Sequence, residues 1–411
     1  MRVALLTRAV FGLHGYGGME RHVLELARFL TRAGVETTVV TTPPTRAAEW
    51  TEPGVRLQIV ESPRLPLRGI PDRVVNYPYW SERAGEFLAG QNFDVVHAQG
   101  LSGWGYARRL ADGRARAPLI INPQGMEEFK TSFAKRAAYL PFHYLARQGA
   151  QQATALIAAD SGALHEIPRF LHVSRQRVVL IPNGIDVEAA RLHVTPERLA
   201  ALANRWQLMR RTPTLLSVGR LEANKGFDVL LEALARIRPS LPSTWSWLLV
   251  GEGPQRAHLE SRIRALKLTN HADLVGALDD AALHNLYELA TLFVHPTRFE
   301  GSSLVTLEAM GHGRPVVATA VGGIPDKVQR GRNGFLVPPG DAVELGDKIL
   351  LALRDPLRLA EMGAASLEIA LRKFDWPHTI QLTLSLYAHI TGKRTIEPQY
   401  LNLDSDAPVP L

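Results

Sequence analysis

Thr214-Leu215-Leu216-Ser217-Val218-Gly219-Arg220-Leu221-Glu222-Ala223-Asn224-Lys225-Gly226 reads as a buried strand, a glycine turn and a loop carrying two cations five residues apart. The opening five residues suit one strand of a sheet covered on both faces. They also restart a plan that the chain has already run through once. Upstream, expected strands at Val3–Leu6, Val35–Thr41, Asp94–Ala98, Pro118–Ile121, Leu156–Ala159 and Val178–Ile181 alternate with helical stretches, the first near Met19–Ala33. Downstream come Trp245–Val250, Ala272–Val275, Leu292–Val294, Pro315–Thr319 and Gly334–Val337. Such alternation argues for α/β architecture, parallel sheets with helices on both faces. Two successive series of similar size mean two doubly wound, Rossmann-like domains, joined near Asp186–Arg211. The first domain is assigned to residues 1–190 and the second to 191–375. A helix at about 376–395 is expected to pack back on the first domain, and 396–411 to form a frayed tail. Ligands of open α/β sheets meet the C-terminal ends of the strands, so a site is expected in a cleft across which the two domains face each other.

Composition narrows the class. Of 411 residues, 46% are hydrophobic and 21% charged, which excludes a disordered or fibrous chain. The absence of cysteine excludes disulfide scaffolds, thiolate zinc sites and thiol nucleophiles. No run approaches the roughly 20 apolar residues of a membrane-spanning helix, and Met1–Arg8 is too short for a signal peptide core. A cytoplasmic protein is expected. The net charge of +7 lies mostly in the first half: residues 1–200 hold 24 basic and 18 acidic side chains, residues 201–411 hold 23 and 22. That surplus either faces an anionic partner, a phosphorylated substrate or a membrane surface, or simply solvates helices. The stretch Phe129–Gln148 mixes Lys130, Lys135, Arg136 and Arg147 with Phe133, Tyr139, Leu140, Phe142 and Tyr144, interrupted by Pro141. It reads either as a peripheral contact with an anionic membrane, at the inner face, or as a helix packed on its own domain. Nucleic acid is not expected as a partner.

Three loops carry chemistry. Gly15-Tyr16-Gly17-Gly18-Met19-Glu20 follows the first strand, and its glycines allow close backbone approach with helix amides free for an anion. It departs from a dinucleotide fingerprint, since Glu20 stands where glycine or alanine is needed and no acidic residue closes the second strand. In the second domain, Gly219 precedes Arg220 and Lys225, which together suit a diphosphate; the loop lacks the P-loop pattern. The third loop is Phe299-Glu300-Gly301-Ser302-Ser303, leading into an expected helix Leu304–Gly311 that contains Glu308. Its turn offers N–H groups and hydroxyls to phosphate oxygens, and carboxylates so placed suit vicinal hydroxyls. Glu308 on a solvated helix face is the plainer alternative.

Taken together the loops resemble the retaining glycosyltransferases of the GT-B fold, family four, along nearly the whole chain. The resemblance rests on Gly17-Gly18-Met19-Glu20, Asp94-Val95-Val96-His97, Asn122-Pro123-Gln124-Gly125-Met126-Glu127 and Ile181-Pro182-Asn183-Gly184-Ile185-Asp186. Further along it adds Val218-Gly219-Arg220 with Lys225-Gly226, Val250-Gly251-Glu252-Gly253-Pro254, the pair Glu300 and Glu308, Gly322-Gly323-Ile324-Pro325, and Gly334 through Asp341. It implies transfer of a sugar from a nucleoside-diphosphate sugar to a saccharide or lipid-linked acceptor in cell-surface polysaccharide or glycolipid synthesis. In that pattern Arg220 and Lys225 clamp the donor diphosphate, Glu308 holds the ribose and Glu300 faces the transferred sugar. Amides at Ser303, Leu304 and Val305 cover the phosphates, Ala277 and Leu278 meet the base, and Gly17 and Gly18 add amides from the other domain. No cofactor or metal is implied, because fixed cations replace the metal's charge. His97 is expected near the anomeric centre, with a strand-end core histidine as its alternative; Gln99, Gln124 and Glu127 are acceptor-side candidates. The chain departs from the family pattern at Gln99 and Gln124, where histidine is usual, and at Ser302-Ser303, where Phe-Gly is usual. A nucleotide-sugar epimerase of related fold and a non-catalytic nucleotide-sugar-binding subunit are the competing functions.

Overall fold

The computed structural model describes residues 1–15, 17–44, 49–62, 72–124, 126, 129 and 139–392. The chain divides into two compact units, Met1–Asn183 with Trp376–Leu411, and Gly184–Asp375. The division comes seven residues earlier than the sequence reading placed it. The reason is local: the Ile185 N–H donates to the Phe374 carbonyl at 2.7 Å, and Ile185 and Val187 pack with Leu307, Met310 and Phe374. The expected tail lies outside the described residues.

The first unit is built on seven parallel strands: β1 Arg2–Leu6, β2 Glu36–Thr41, β3 Arg56–Ile59, β4 Val95–Gln99, β5 Leu119–Asn122, β6 Ala155–Ala158 and β7 Val178–Leu180. Their order is β3-β2-β1-β4-β5-β6-β7. Every residue of β4, β5 and β6 is buried, as parallel strands covered on both faces require. Strand β3 is absent from the sequence reading. Its Arg56-Leu57-Gln58-Ile59 is an edge strand of four partly exposed residues, too short to carry a periodic signal. Helix Leu140–Gln152 contains most of the basic aromatic stretch that is described, Phe129 and Tyr139 lying before it. Pro141 sits in its first turn, where a missing N–H costs nothing, and so begins the helix instead of interrupting it. Lys130, Phe133, Lys135 and Arg136 lie outside the described residues.

The second unit repeats the plan with six parallel strands: β8 Thr214–Val218, β9 Ser246–Val250, β10 Ala272–Gly276, β11 Leu292–His295, β12 Val316–Thr319 and β13 Gly334–Val337. Their order is β10-β9-β8-β11-β12-β13. In each sheet the order reverses once, between β1 and β4 and between β8 and β11. Right-handed crossovers then carry the chain to opposite faces on the two sides of that point, leaving a crevice at the strand ends. No helix among the described residues is long and apolar enough to cross a membrane.

Helix Trp376–Ile390 belongs to the first unit and is held there by buried aromatic contacts. Trp376 stacks on Phe29 at 5.5 Å between ring centroids and lies 5.4 Å from the His22 ring. The Tyr387 hydroxyl sits 2.7 Å from Nδ1 of His97. This contact fixes the orientation of His97. Its ring is 2% exposed and faces the terminal helix from the middle of β4, while its Nε2 has no hydrogen-bond partner among the described residues. Burial pulls His97 down to about 3, with the neighbouring His22 adding to the effect, and pulls His22 down to about 4.

Both histidines are therefore neutral when folded and take up protons more readily when unfolded. Their contribution to stability is complete above about pH 6.5 and is lost as pH falls toward their folded values. Denaturant unfolding of the full chain should show stability falling between pH 6.5 and 5, and His22→Leu should flatten that slope. An unchanged slope in the variant would remove His22 from the account.

Candidate active site

The second unit gathers most of the expected residues at its reversal point. The loop after β8 carries Gly219, Arg220 and Lys225; the loop after β11 carries Glu300 and leads into helix Leu304–Gly311. The Lys225 ammonium donates to Oε2 of Glu300 at 2.8 Å, and the same oxygen lies 2.9 Å from Nε2 of His295, the last residue of β11. Burial alone would push Glu300 up. The His295 hydrogen bond and the charges of His295 and Lys225 outweigh it and bring the carboxyl down to about 2. Glu300 is thus a fixed carboxylate at neutral pH. Arg220 is 76% exposed, its guanidinium 3.0 Å from Glu222, so it can swing onto an incoming anion at little cost.

Backbone contacts that only glycine permits hold the loops together. At Gly226, φ is +68° and a Cβ would stand 2.1 Å from the Pro296 carbonyl oxygen; at Gly322, φ is +54° and a Cβ would stand 2.0 Å from that of Glu300. The Gly323 N–H donates to the Gly301 carbonyl at 2.9 Å, bracing the turn from below. The buried Lys327 ammonium, 1% exposed, donates to Ser302 Oγ and to the Gly323 carbonyl, both at 3.1 Å. It brings positive charge directly beneath the turn.

Helix Leu304–Gly311 starts at Ser303, which is 2% exposed and has its hydroxyl 2.9 Å from that of Thr306. The first amides, at Leu304 and Val305, lack intrahelical acceptors and face an anion favourably. Leu307, Ala309 and Met310 are fully buried, so Glu308, half-buried, is the helix's one carboxylate and is not on a solvated face. The hydroxyl of Tyr287, itself fully buried, donates to Glu308 Oε2 at 2.9 Å. Tyr287 in turn stacks on His312, 5.7 Å between centroids, and Nδ1 of His312 lies 3.0 Å from Glu288. Ala277 and Leu278 follow β10; Ala277 is exposed, and Leu278 packs against the same apolar cluster as Tyr287.

In the first unit Gly17 and Gly18 are exposed at the start of helix Gly18–Arg32. Gln99 closes β4 and Gln124 follows β5. Their side chains meet, Gln124 Nε2 donating to Gln99 Oε1 at 2.5 Å. Gln124 is one of the few non-glycine residues in the left-handed region, with φ +61°, and its N–H donates to Asn122 Oδ1 at 3.0 Å. Glu127 lies outside the described residues.

Three residues escaped the sequence reading. His295 was within reach, since it closes a strand five positions before Glu300. Tyr287 and Lys327 had no local signal, because their partners are 21 and 25 residues away.

The chain is similar to known proteins along most of its length. Residues 16–189 match the model of Glycosyltransferase Family 4, and residues 212–355 match that of Glycosyl transferases group 1. A D-inositol 3-phosphate glycosyltransferase of Mycolicibacterium smegmatis is 30% identical over 396 residues, spanning 90% of this chain and 86% of that protein. The chain belongs to glycosyltransferase family 4. It is a glycosyltransferase. Among solved structures, sucrose-phosphate synthase from Thermosynechococcus elongatus superposes with a TM-score of 0.78 at 23% identity, covering 96% of this chain and all of that one. Anabaena Alr3699/HepE in complex with UDP gives 0.74 at 21% identity, covering 94% and 100%. Both likenesses establish the GT-B fold, two Rossmann-like domains.

If Tyr287 orients Glu308, Tyr287→Phe should weaken binding of a ligand that donates to that carboxylate, probed with UDP, by about tenfold, the worth of a hydrogen bond to a charged group. Titration calorimetry measures it, with circular dichroism confirming the fold. Affinity equal to that of the unaltered chain would contradict the assignment.

Proposed function

We propose that this glycosyltransferase moves a sugar from a nucleoside-diphosphate sugar to a saccharide or lipid-linked acceptor, with retention at the anomeric carbon and without a metal ion. The observation that carries the reading is the Lys225–Glu300–His295 cluster beside the start of helix Leu304–Gly311. In this reading Lys225 and Arg220 take the diphosphate, the amides at Ser303, Leu304 and Val305 cap its oxygens, and Glu308 takes the ribose hydroxyls. Glu300 meets the sugar, Ala277 and Leu278 meet the base, and Gly17 and Gly18 supply further amides. The leaving diphosphate gains negative charge in the transition state, so cations and N–H groups already in place stabilise that state more than the ground state. Removal of one such donor typically costs roughly 3–4 kcal/mol.

The side of the reaction follows from what flanks the sugar. Glu300 is locked as an ion-paired carboxylate, and the departing phosphate is the base nearest the acceptor hydroxyl. Attack from the phosphate's own face then gives retention with no covalent intermediate. His97, whose Nε2 has no hydrogen-bond partner among the described residues, is placed near the anomeric centre in this reading. The acceptor falls to the first unit, where Gln99 and Gln124 sit at the strand ends and the basic surplus of the chain resides. Such a role fits a cytoplasmic enzyme working at the inner face of a membrane, in cell-surface polysaccharide or glycolipid synthesis.

The test is a panel of nucleoside-diphosphate sugars scored by thermal shift. One donor should stabilise the chain with or without chelator, and Lys225→Ala and Glu308→Ala should each abolish most of that stabilisation. The anomeric configuration of the product, read by NMR, should match that of the donor. Undiminished donor binding in both variants, or an inverted product, would refute the reading.

A further inference from the structure

Arg8 stands at the reversal point of the first sheet, outside every role assigned above. β1 and β4 are parallel with Leu6 opposite Ala98, so Arg8, two residues past the strand, comes level with Gly100. Its guanidinium carbon lies 5.1 Å from the centroid of the Tyr77 ring. The Tyr77 hydroxyl is 2.9 Å from Ser102 Oγ and 3.5 Å from the Gln99 carbonyl, so the ring is tied to the end of β4.

Among the described residues no carboxylate pairs with Arg8, which is half-buried. The contrast within the unit is plain: Arg28, Arg56, Arg108 and Arg109 each hold a glutamate. Arg8 is therefore a cation held in place without being neutralised. A guanidinium laid over an aromatic face keeps its N–H edges for an anion, and those edges match phosphate oxygens two at a time. Beside it, Gln99 is 2% exposed, and its Nε2 has no hydrogen-bond partner among the described residues. A buried donor left unpaired at a strand end costs about 1–3 kcal/mol unless something arrives to accept from it. Its partner Gln124 adopts the left-handed backbone region that side chains avoid.

We propose that Arg8, seated on Tyr77, binds a phosphate group of the acceptor, with the Gln99–Gln124 amide pair meeting hydroxyls next to it. The inference rests on the reading that the first unit takes the acceptor. It names the acceptor's chemistry, a phosphorylated polyol, either free in solution or as a lipid headgroup. An amide pair does not titrate near neutral pH, so recognition of the hydroxyls should be insensitive to pH there.

The experiment uses the full chain, Arg8→Gln, Arg8→Lys, and Arg56→Gln as a control on a different surface arginine. Calorimetric titration with myo-inositol 3-phosphate and with neutral myo-inositol probes the soluble form. Sedimentation with phosphatidylcholine vesicles, with and without phosphatidylinositol, probes the headgroup form. A phosphorylated probe should bind in one arm. Its affinity should fall at least tenfold in Arg8→Gln, fall less in Arg8→Lys, and stay unchanged in Arg56→Gln. Neither phosphorylated probe binding, or equal binding by Arg8→Gln, would overturn the proposal. A nucleoside diphosphate titrated in parallel separates the two levels. If it binds through Lys225 and Glu308 while Arg8→Gln has no effect, only the phosphate subsite is wrong; if no nucleoside diphosphate binds, the proposed function itself is wrong.

Discussion

The site in the second unit depends on one interaction, the buried carboxylate of Glu300 shared between Lys225 and His295. A carboxylate nearly out of water would ordinarily take up a proton, and a lone lysine beside it would resist burial. Each makes the other tolerable, and removing either partner would strand an uncompensated charge. The ion pair spans the ends of β8 and β11, so it also fixes the distance between the two loops flanking the reversal point. The glycines follow from that constraint. Gly226 lets its loop lie against Pro296, and Gly322 lets its backbone lie against Glu300, because a Cβ at either place would collide with main-chain oxygen.

A second tier of buried groups supports this first one. Lys327 reaches Ser302 from beneath the turn, and Tyr287 reaches Glu308 from the neighbouring helix Asp280–Leu289. Ser302 stands where the resemblance leads one to expect phenylalanine, and its hydroxyl is one of two oxygens that Lys327 binds. The departure at Ser302 thus has a physical partner. The first unit uses a neutral counterpart at its own strand ends: Gln99 and Gln124 are joined by an amide hydrogen bond in place of the usual histidines.

Much of the architecture was legible in the sequence because parallel strands and glycine turns are local signals. β8, β13 and helix Leu304–Gly311 run over the residues expected, and the other expected strands differ by one residue at one or both ends. The edge strand β3 was missed since four half-exposed residues have no period. The partner of His97 was hidden for a related reason. All five residues of β4 are buried, so alternation says nothing about which face a side chain takes, and the helix that covers His97 comes 290 residues later. Glu300 could be picked out from its loop, but its ionised state could not. That state is set by His295 and by Lys225, 75 residues away, against the burial of the turn.

The most direct measurement is the titration of the Glu300 carboxyl, followed by carbon NMR in chain labelled at glutamate and assigned with Glu300→Gln. The account predicts a resonance that stays in its ionised position down to pH 3.5, and that moves toward the ordinary carboxylate range when Lys225 is replaced by methionine. A midpoint between pH 4 and 5 in the unaltered chain, or one indifferent to Lys225, would contradict it.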